Sequence, residues 1–133
     1  MIVLASCHCG SVRYEADVDP QGTGICHCKD CQKLTGSAYR ISVPAKEGSL
    51  TLLAGQPSVY IKVGDSGARR AQAFCSTCGS PLYTCDVDNP RTFGLRVGCI
   101  DEREVLIPRK QKWCQSALTW TQSLVGLDRQ ERE

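Results

Sequence analysis

Seven of the chain's ten cysteines stand in three tight groups: Cys7-His8-Cys9, Cys26-His27-Cys28-Lys29-Asp30-Cys31 and Cys75-Ser76-Thr77-Cys78. Thiols kept only for their bulk have no reason to recur at such intervals. A pair separated by one or two residues, by contrast, can aim both sulfurs at one ion through Zn–S bonds of ~2.3 Å. Two such pairs complete a tetrahedron. Gly10 after Cys9 and Gly79 after Cys78 suit a knuckle, in which a residue with positive φ lets backbone N–H groups turn toward the thiolates.

Seven ligands divide as four plus three, because two closed tetrahedral sites would need eight. Cys26, Cys28 and Cys31 lie within six residues and can grip one ion without help, which leaves Cys7, Cys9, Cys75 and Cys78 as a closed site. That closure ties the start of the chain to its middle, and a metal-held loop of this length would supply much of the stability of a small β domain. A competing pairing sets Cys28 and Cys31 against Cys75 and Cys78 as a zinc ribbon. It would span the 43 residues from 32 to 74, where a ribbon usually has ~15 to 20. The expectation is two zinc ions per chain, one closed and structural, the other with a coordination position open.

The rest of the composition narrows the class. At 133 residues the chain is one domain's worth, and 16 Lys+Arg against 14 Asp+Glu give a net charge of +2 with no basic stripe of the kind that tracks nucleic acid. No apolar run approaches the ~18 residues of a membrane helix. Leu4-Ala5-Ser6-Cys7 superficially resembles a lipoprotein cleavage box, but no Lys or Arg precedes it and its apolar run is shorter than the ~7 to 15 residues of an export signal. A cytoplasmic protein is expected, and in a reducing cytosol dense cysteines hold metal rather than disulfides.

Secondary-structure signals are short and mostly of period two. Val12, Tyr14, Ala16 and Val18 alternate with polar residues, as do Tyr39, Ile41 and Val43, then Val59, Ile61 and Val63. Leu50 to Leu53, Leu95 to Ile100 and Val105 to Ile107 are further strand candidates, and Ala71, Ala73 and Phe74 lead into the third cysteine group. Asp30 to Gly36 suits one or two helical turns, with Asp30 as cap and Gly36 as stop. These features predict a mainly antiparallel β domain over residues 2–125, followed by a polar tail at 126–133.

The open site would carry the chemistry. Three thiolates on Zn²⁺ leave the complex near a charge of −1, so it acidifies water less well than a three-histidine site would, and a water-activating hydrolase is disfavoured. A thiol, however, is deprotonated outright on binding zinc, and its sulfur stays nucleophilic. Capture of a substrate thiol and its addition to a small electrophile such as an aldehyde is the chemistry that fits.

These residues resemble the glutathione-dependent formaldehyde-activating enzymes, whose domain is shared with centromere protein V. The likeness runs from Cys7-His8-Cys9-Gly10 through Tyr14, the Cys26–Cys31 group, Gly36 and Phe74-Cys75-Ser76-Thr77-Cys78-Gly79 to Gly98-Cys99-Ile100-Asp101. The resemblance implies an Mss4-like fold of antiparallel sheets, a structural zinc on Cys7, Cys9, Cys75 and Cys78, and a second zinc on Cys26, Cys28 and Cys31. It also implies condensation of formaldehyde with glutathione to S-hydroxymethylglutathione, a carbon-sulfur lyase reaction. One departure stands out: many members carry a histidine three residues after a proline in the last third, and Gln111 occupies that place after Pro108.

Glutathione carries carboxylates, so Lys29, Lys33, Arg40, Arg69 and Arg70 are candidates to bind it. His27, between two proposed ligands, could orient one of them or shuttle a proton from just outside the coordination sphere. His8 holds the equivalent place in the closed site and is read as a surface or packing residue. Cys85, Cys99 and Cys114 are read as small buried hydrophobes, unless one of them closes the second site. Trp113 and Trp120 suit core or lid packing. Two other functions compete: a zinc-stabilised protein-binding module, which would need both sites closed, and a dithiol redox protein using Cys28-Lys29-Asp30-Cys31, which lacks its βαβ context.

Overall fold

The computed structural model describes residues 1–133. In chain order it contains β1 (Ile2–Ser6), β2 (Arg13–Asp17), β3 (Gly24–Cys26), α1 (Lys29–Thr35), β4 (Arg40–Pro44), β5 (Thr51–Ala54), β6 (Ser58–Val63), β7 (Arg69–Phe74), β8 (Pro81–Asp86), β9 (Gly94–Arg96) and β10 (Lys110–Lys112). Short 3-10 turns fill several of the connections. Two sheets result, one ordered β1-β2-β5 and the other β10-β3-β4-β9-β8-β7-β6. All pairings are antiparallel except that of β10 with β3, so the mainly antiparallel β expectation holds.

The period-two pattern sets the inner face of the small sheet. Val12, Tyr14, Ala16 and Val18 are all buried, because successive side chains of a strand point to opposite faces and only this set is apolar. Tyr14 reaches across the core, where its hydroxyl donates to the Leu82 carbonyl at 3.1 Å and its ring meets Tyr83 edge-on at 5.8 Å. Val3, Val43, Leu82, Leu95, Ile100 and Leu106 pack around it. Cys7 and Cys75 belong to the same cluster, so the cysteine pairs are anchored in the core.

Several elements differ from expectation. Val105 to Ile107 is no strand: Arg103–Val105 forms a 3-10 turn, and Leu106 alone turns inward while Val105 and Ile107 stay exposed. The apolar run was real, but no neighbouring edge receives its hydrogen bonds. Similarly, the Leu95 strand stops at Arg96 because Val97–Cys99 coils into a 3-10 turn. The cap of α1 is Cys28 rather than Asp30, its sulfur accepting from the Cys31 N–H, and the Gly36 stop holds with φ of 62°. In β6 the alternation is present, yet Val59, Ile61 and Val63 are exposed because that strand forms the edge of the large sheet.

Candidate metal centres and the adjoining cleft

The hairpin between β1 and β2 presents Cys7 and Cys9, while the turn between β7 and β8 presents Cys75 and Cys78. All four sulfurs lie within 4.8 Å of one another. Zinc with four bonds of ~2.3 Å requires tetrahedral edges of roughly 3.8 Å, and the Cys7–Cys9 and Cys9–Cys75 sulfurs are 3.6 and 3.8 Å apart. Gly10 and Gly79 adopt φ of 80° and 79°, the left-handed conformation the knuckle reading required. Their N–H groups close the turns on the Cys7 and Cys75 carbonyls at 3.0 and 2.8 Å.

Hydroxyl groups set the electrostatics of this cluster. Ser11 Oγ stands 3.1 Å from the Cys9 sulfur and 3.3 Å from that of Cys75, and Ser80 Oγ 3.3 Å from that of Cys78. The Ser11 hydroxyl and the Cys78 and Thr77 N–H groups hold the Cys75 thiol down to about 7. The Ser80 hydroxyl and the Cys9 N–H hold Cys78 down to about 5. Donors aimed at sulfur favour the thiolate, the form that binds metal.

Cys26 ends β3, Cys28 caps α1 and Cys31 lies in the first turn of that helix, buried. Their sulfurs also lie within 4.8 Å of one another, and no fourth Cys, His, Asp or Glu joins the group. Cys28 and Cys31 thus gather with Cys26 and not with Cys75 and Cys78, so the ribbon arrangement is not the one this chain adopts. Burial opposes ionisation of Cys28, but the Cys31 N–H, the neighbouring sulfurs and Lys62 outweigh it and hold the thiol below its ordinary value. Burial pushes Cys31 well up. Cys85 is buried, Cys99 is half-buried with its Sγ donating to the Pro81 carbonyl at 3.2 Å, and Cys114 is exposed. The buried reading fails for Cys114 because the 3-10 turn Cys114–Ser116 runs along the surface.

A strap holds this second cluster. His27 N–H donates to the Lys112 carbonyl at 3.0 Å. Gln32 Nε2 donates both to the His27 carbonyl at 2.8 Å and to the Ser116 carbonyl at 3.0 Å. The His27 ring is buried, edge-on to Tyr39, with Nε2 2.8 Å from Gln111 Oε1 and no partner at Nδ1. Gln111, at the place where the resemblance sets a histidine, is therefore the ring's hydrogen-bond partner.

The three sulfurs open onto a cleft of about 480 Å³. Five basic side chains line it, Arg40, Lys62, Arg70, Lys110 and Lys112, against the single acid Asp30, which pairs with Lys62 at 2.8 Å. Of the basic residues singled out from sequence, Arg40 and Arg70 reach the cleft, whereas Lys29, Lys33 and Arg69 are not among its lining residues. Lys62, Lys110 and Lys112 were missed. The alternation Lys110-Gln111-Lys112 would have flagged the last two had β10 been recognised, but three exposed polar residues carry no strand signal. Leu34, Phe93 and Trp113 form apolar wall.

The family model for glutathione-dependent formaldehyde-activating enzymes matches residues 2–116. The chain belongs to this family. A Halomonas elongata protein that carries the family's name is 29% identical over 90 residues. That match takes in 65% of this chain and 57% of the relative, so the chain spans a little over half of that relative's length. A crystal structure of a Rhodobacter sphaeroides protein, 21% identical, superposes with a TM-score of 0.62 over 82% of this chain and 99% of its own, a likeness of fold. No helix is long and apolar enough to cross a membrane. Both cysteine clusters could hold a metal ion, and all-thiolate donors at these separations fit zinc.

Proposed function

We propose that this chain is a zinc-dependent carbon-sulfur lyase of the S-(hydroxymethyl)glutathione synthase type, which adds a low-molecular-weight thiol such as glutathione to formaldehyde or a similar small aldehyde. One observation carries the reading: a trio of cysteine sulfurs faces a basic cleft of about 480 Å³. Zinc held by Cys26, Cys28 and Cys31 would offer its remaining position to the substrate sulfur and favour the thiolate. Lys110, Lys112 and Arg40 attract the carboxylates of a glutathione-like thiol, each free of an acidic partner. The indole of Trp113 and the ring of Phe93 line the cleft and offer an apolar wall against which the thiol is oriented. His27, held through Nε2 by Gln111, orients the Cys26–Cys28 loop. The other four cysteines hold a structural zinc. We place the protein in the cytoplasm, where both thiol and aldehyde are at hand.

The test measures zinc stoichiometry and glutathione uptake on the protein and on Cys28→Ser, with S-hydroxymethylglutathione formation followed directly. Two zincs in the parent, one in the variant, and thiol uptake and product lost together are expected. Equal zinc in both proteins, or no thiol uptake by the parent, defeats the proposal in favour of a binding module.

A further inference from the structure

Two arginines on the sheet that carries Cys26 lack any acidic partner: Arg40 stands opposite Cys26, and Arg96 stands opposite Ser42, two residues further along the same strand, where it lines a second cavity rather than the cleft. Arg96, at the end of β9, is buried, and its guanidinium donates only to neutral acceptors: Gln72 Oε1 at 3.0 Å, Ser42 Oγ at 3.2 Å and the Gly94 carbonyl at 3.4 Å. Its Nε finds no acceptor. Arg40 is half-buried in β4, directly opposite Cys26 across the ladder, lines the cleft and likewise has a buried Nε without an acceptor. Every ion pair of the chain is made by other residues.

A buried guanidinium without an anion is costly, and two near each other are worse. Burial and the neighbouring Arg40 push the Arg96 group down to about 10, while a charge on Cys31 works the other way. Within the chain itself the sulfurs, with Cys26 directly across the ladder from Arg40, are the groups placed to supply the compensating negative charge. Three thiolates on a zinc dication leave one net negative charge, and a fourth thiolate makes two, matching the two guanidiniums.

We infer that Arg40 and Arg96 form a paired counter-charge that makes the three-sulfur site select an anionic sulfur over a neutral ligand for the fourth position. This rests on the proposed thiol-binding function and names the residues that set its ligand preference. Neither guanidinium needs to touch the substrate carbon skeleton, so the preference extends to thiols that carry no carboxylate.

The experiment uses the cobalt-loaded protein, with 2-mercaptoethanol as the thiol probe and imidazole as the neutral one. Sulfur-to-cobalt charge-transfer absorption reads the first, and the ligand-field bands read the second. Arg96→Met is expected to weaken 2-mercaptoethanol binding by roughly tenfold, the scale of one lost charge interaction that acts at a distance rather than in direct contact. Imidazole affinity should hold or improve, and Arg96→Lys should restore most of the thiol affinity. If Arg96→Met fails to fold, Arg40→Gln, at a half-buried position, decides with the same two probes. Equal loss for both probes, or no loss for thiol, overturns the inference while leaving the proposed function standing. Failure of the parent protein to bind 2-mercaptoethanol and glutathione overturns both.

Discussion

His27 Nε2 and Gln111 Oε1 lie 2.8 Å apart, joining the loop between two sulfur ligands to the edge strand β10. With Nδ1 already lacking a partner, this bond is the ring's one satisfied polar contact. Gln111→Leu should cost about 1–3 kcal/mol, the penalty of a buried group left unpaired. It should also weaken metal at the Cys26–Cys28–Cys31 cluster by roughly 10- to 100-fold, as expected when an outer support of a ligand loop is removed. Thermal unfolding and competitive zinc titration check the two effects, and an unchanged affinity for the second zinc would assign Gln111 to stability alone.

The cysteine groups were legible in the sequence because chelation fixes spacing locally: no tertiary knowledge is needed to see that Cys26, Cys28 and Cys31 can share an ion. Tyr14 was legible for a similar reason, its strand alternating cleanly between apolar and charged residues. Lys110 and Lys112 were not, since β10 is a three-residue exposed strand defined by its partner β3 rather than by its own pattern. Strand β1 was hidden differently. Ile2 and Leu4 are apolar but exposed, while Val3 and Ala5 are buried, so both faces read as hydrophobic and the period vanished. Arg96 escaped because burial of a charged residue is a tertiary fact.

Loss of the two clusters should have unequal consequences for folding. Cys7 and Cys75 belong to the core and their site joins distant parts of the chain, whereas the other cluster spans six residues. Cys75→Ser should abolish the cooperative thermal transition, or lower its midpoint by more than about 10 °C, because metal-held loop closure scales with the loop. Cys26→Ser should keep one zinc and a cooperative transition. Calorimetry with metal analysis distinguishes these results, and matching losses in the two variants would contradict them.

Acidification should empty the clusters in order. In the four-sulfur cluster the Cys78 and Cys75 thiols are held down to about 5 and about 7 while Cys9 is raised, so two of its sulfurs resist protonation; in the three-sulfur cluster Cys28 is likewise lowered. Cys31 is pushed up by burial, and metal must displace its proton even at neutral pH. With three sulfurs instead of four, and Cys31 raised, the Cys26–Cys28–Cys31 cluster should release its zinc at the higher pH of the two, as a chromophoric chelator would record, with the first release matching that of Cys75→Ser if that variant folds. Simultaneous release would count against the assignment.

Trp113 carries a left-handed backbone, φ of 57°, while its side chain is 58% exposed at the cleft wall. A non-glycine residue in that conformation costs on the order of 1–2 kcal/mol, and an indole so exposed returns little of it through burial. The strain persists because the strap from Gln32 to Ser116 and from Lys112 to His27 fixes the chain on both sides. Trp113→Gly should then raise the thermal midpoint by a few degrees while weakening glutathione binding roughly five- to tenfold, the loss of one aromatic wall. Trp113→Ala separates the two effects, since alanine keeps the backbone strain and loses the ring: binding should fall as far, with no gain in midpoint. Should Trp113→Gly bind glutathione as tightly as the parent, the indole forms no part of the binding wall.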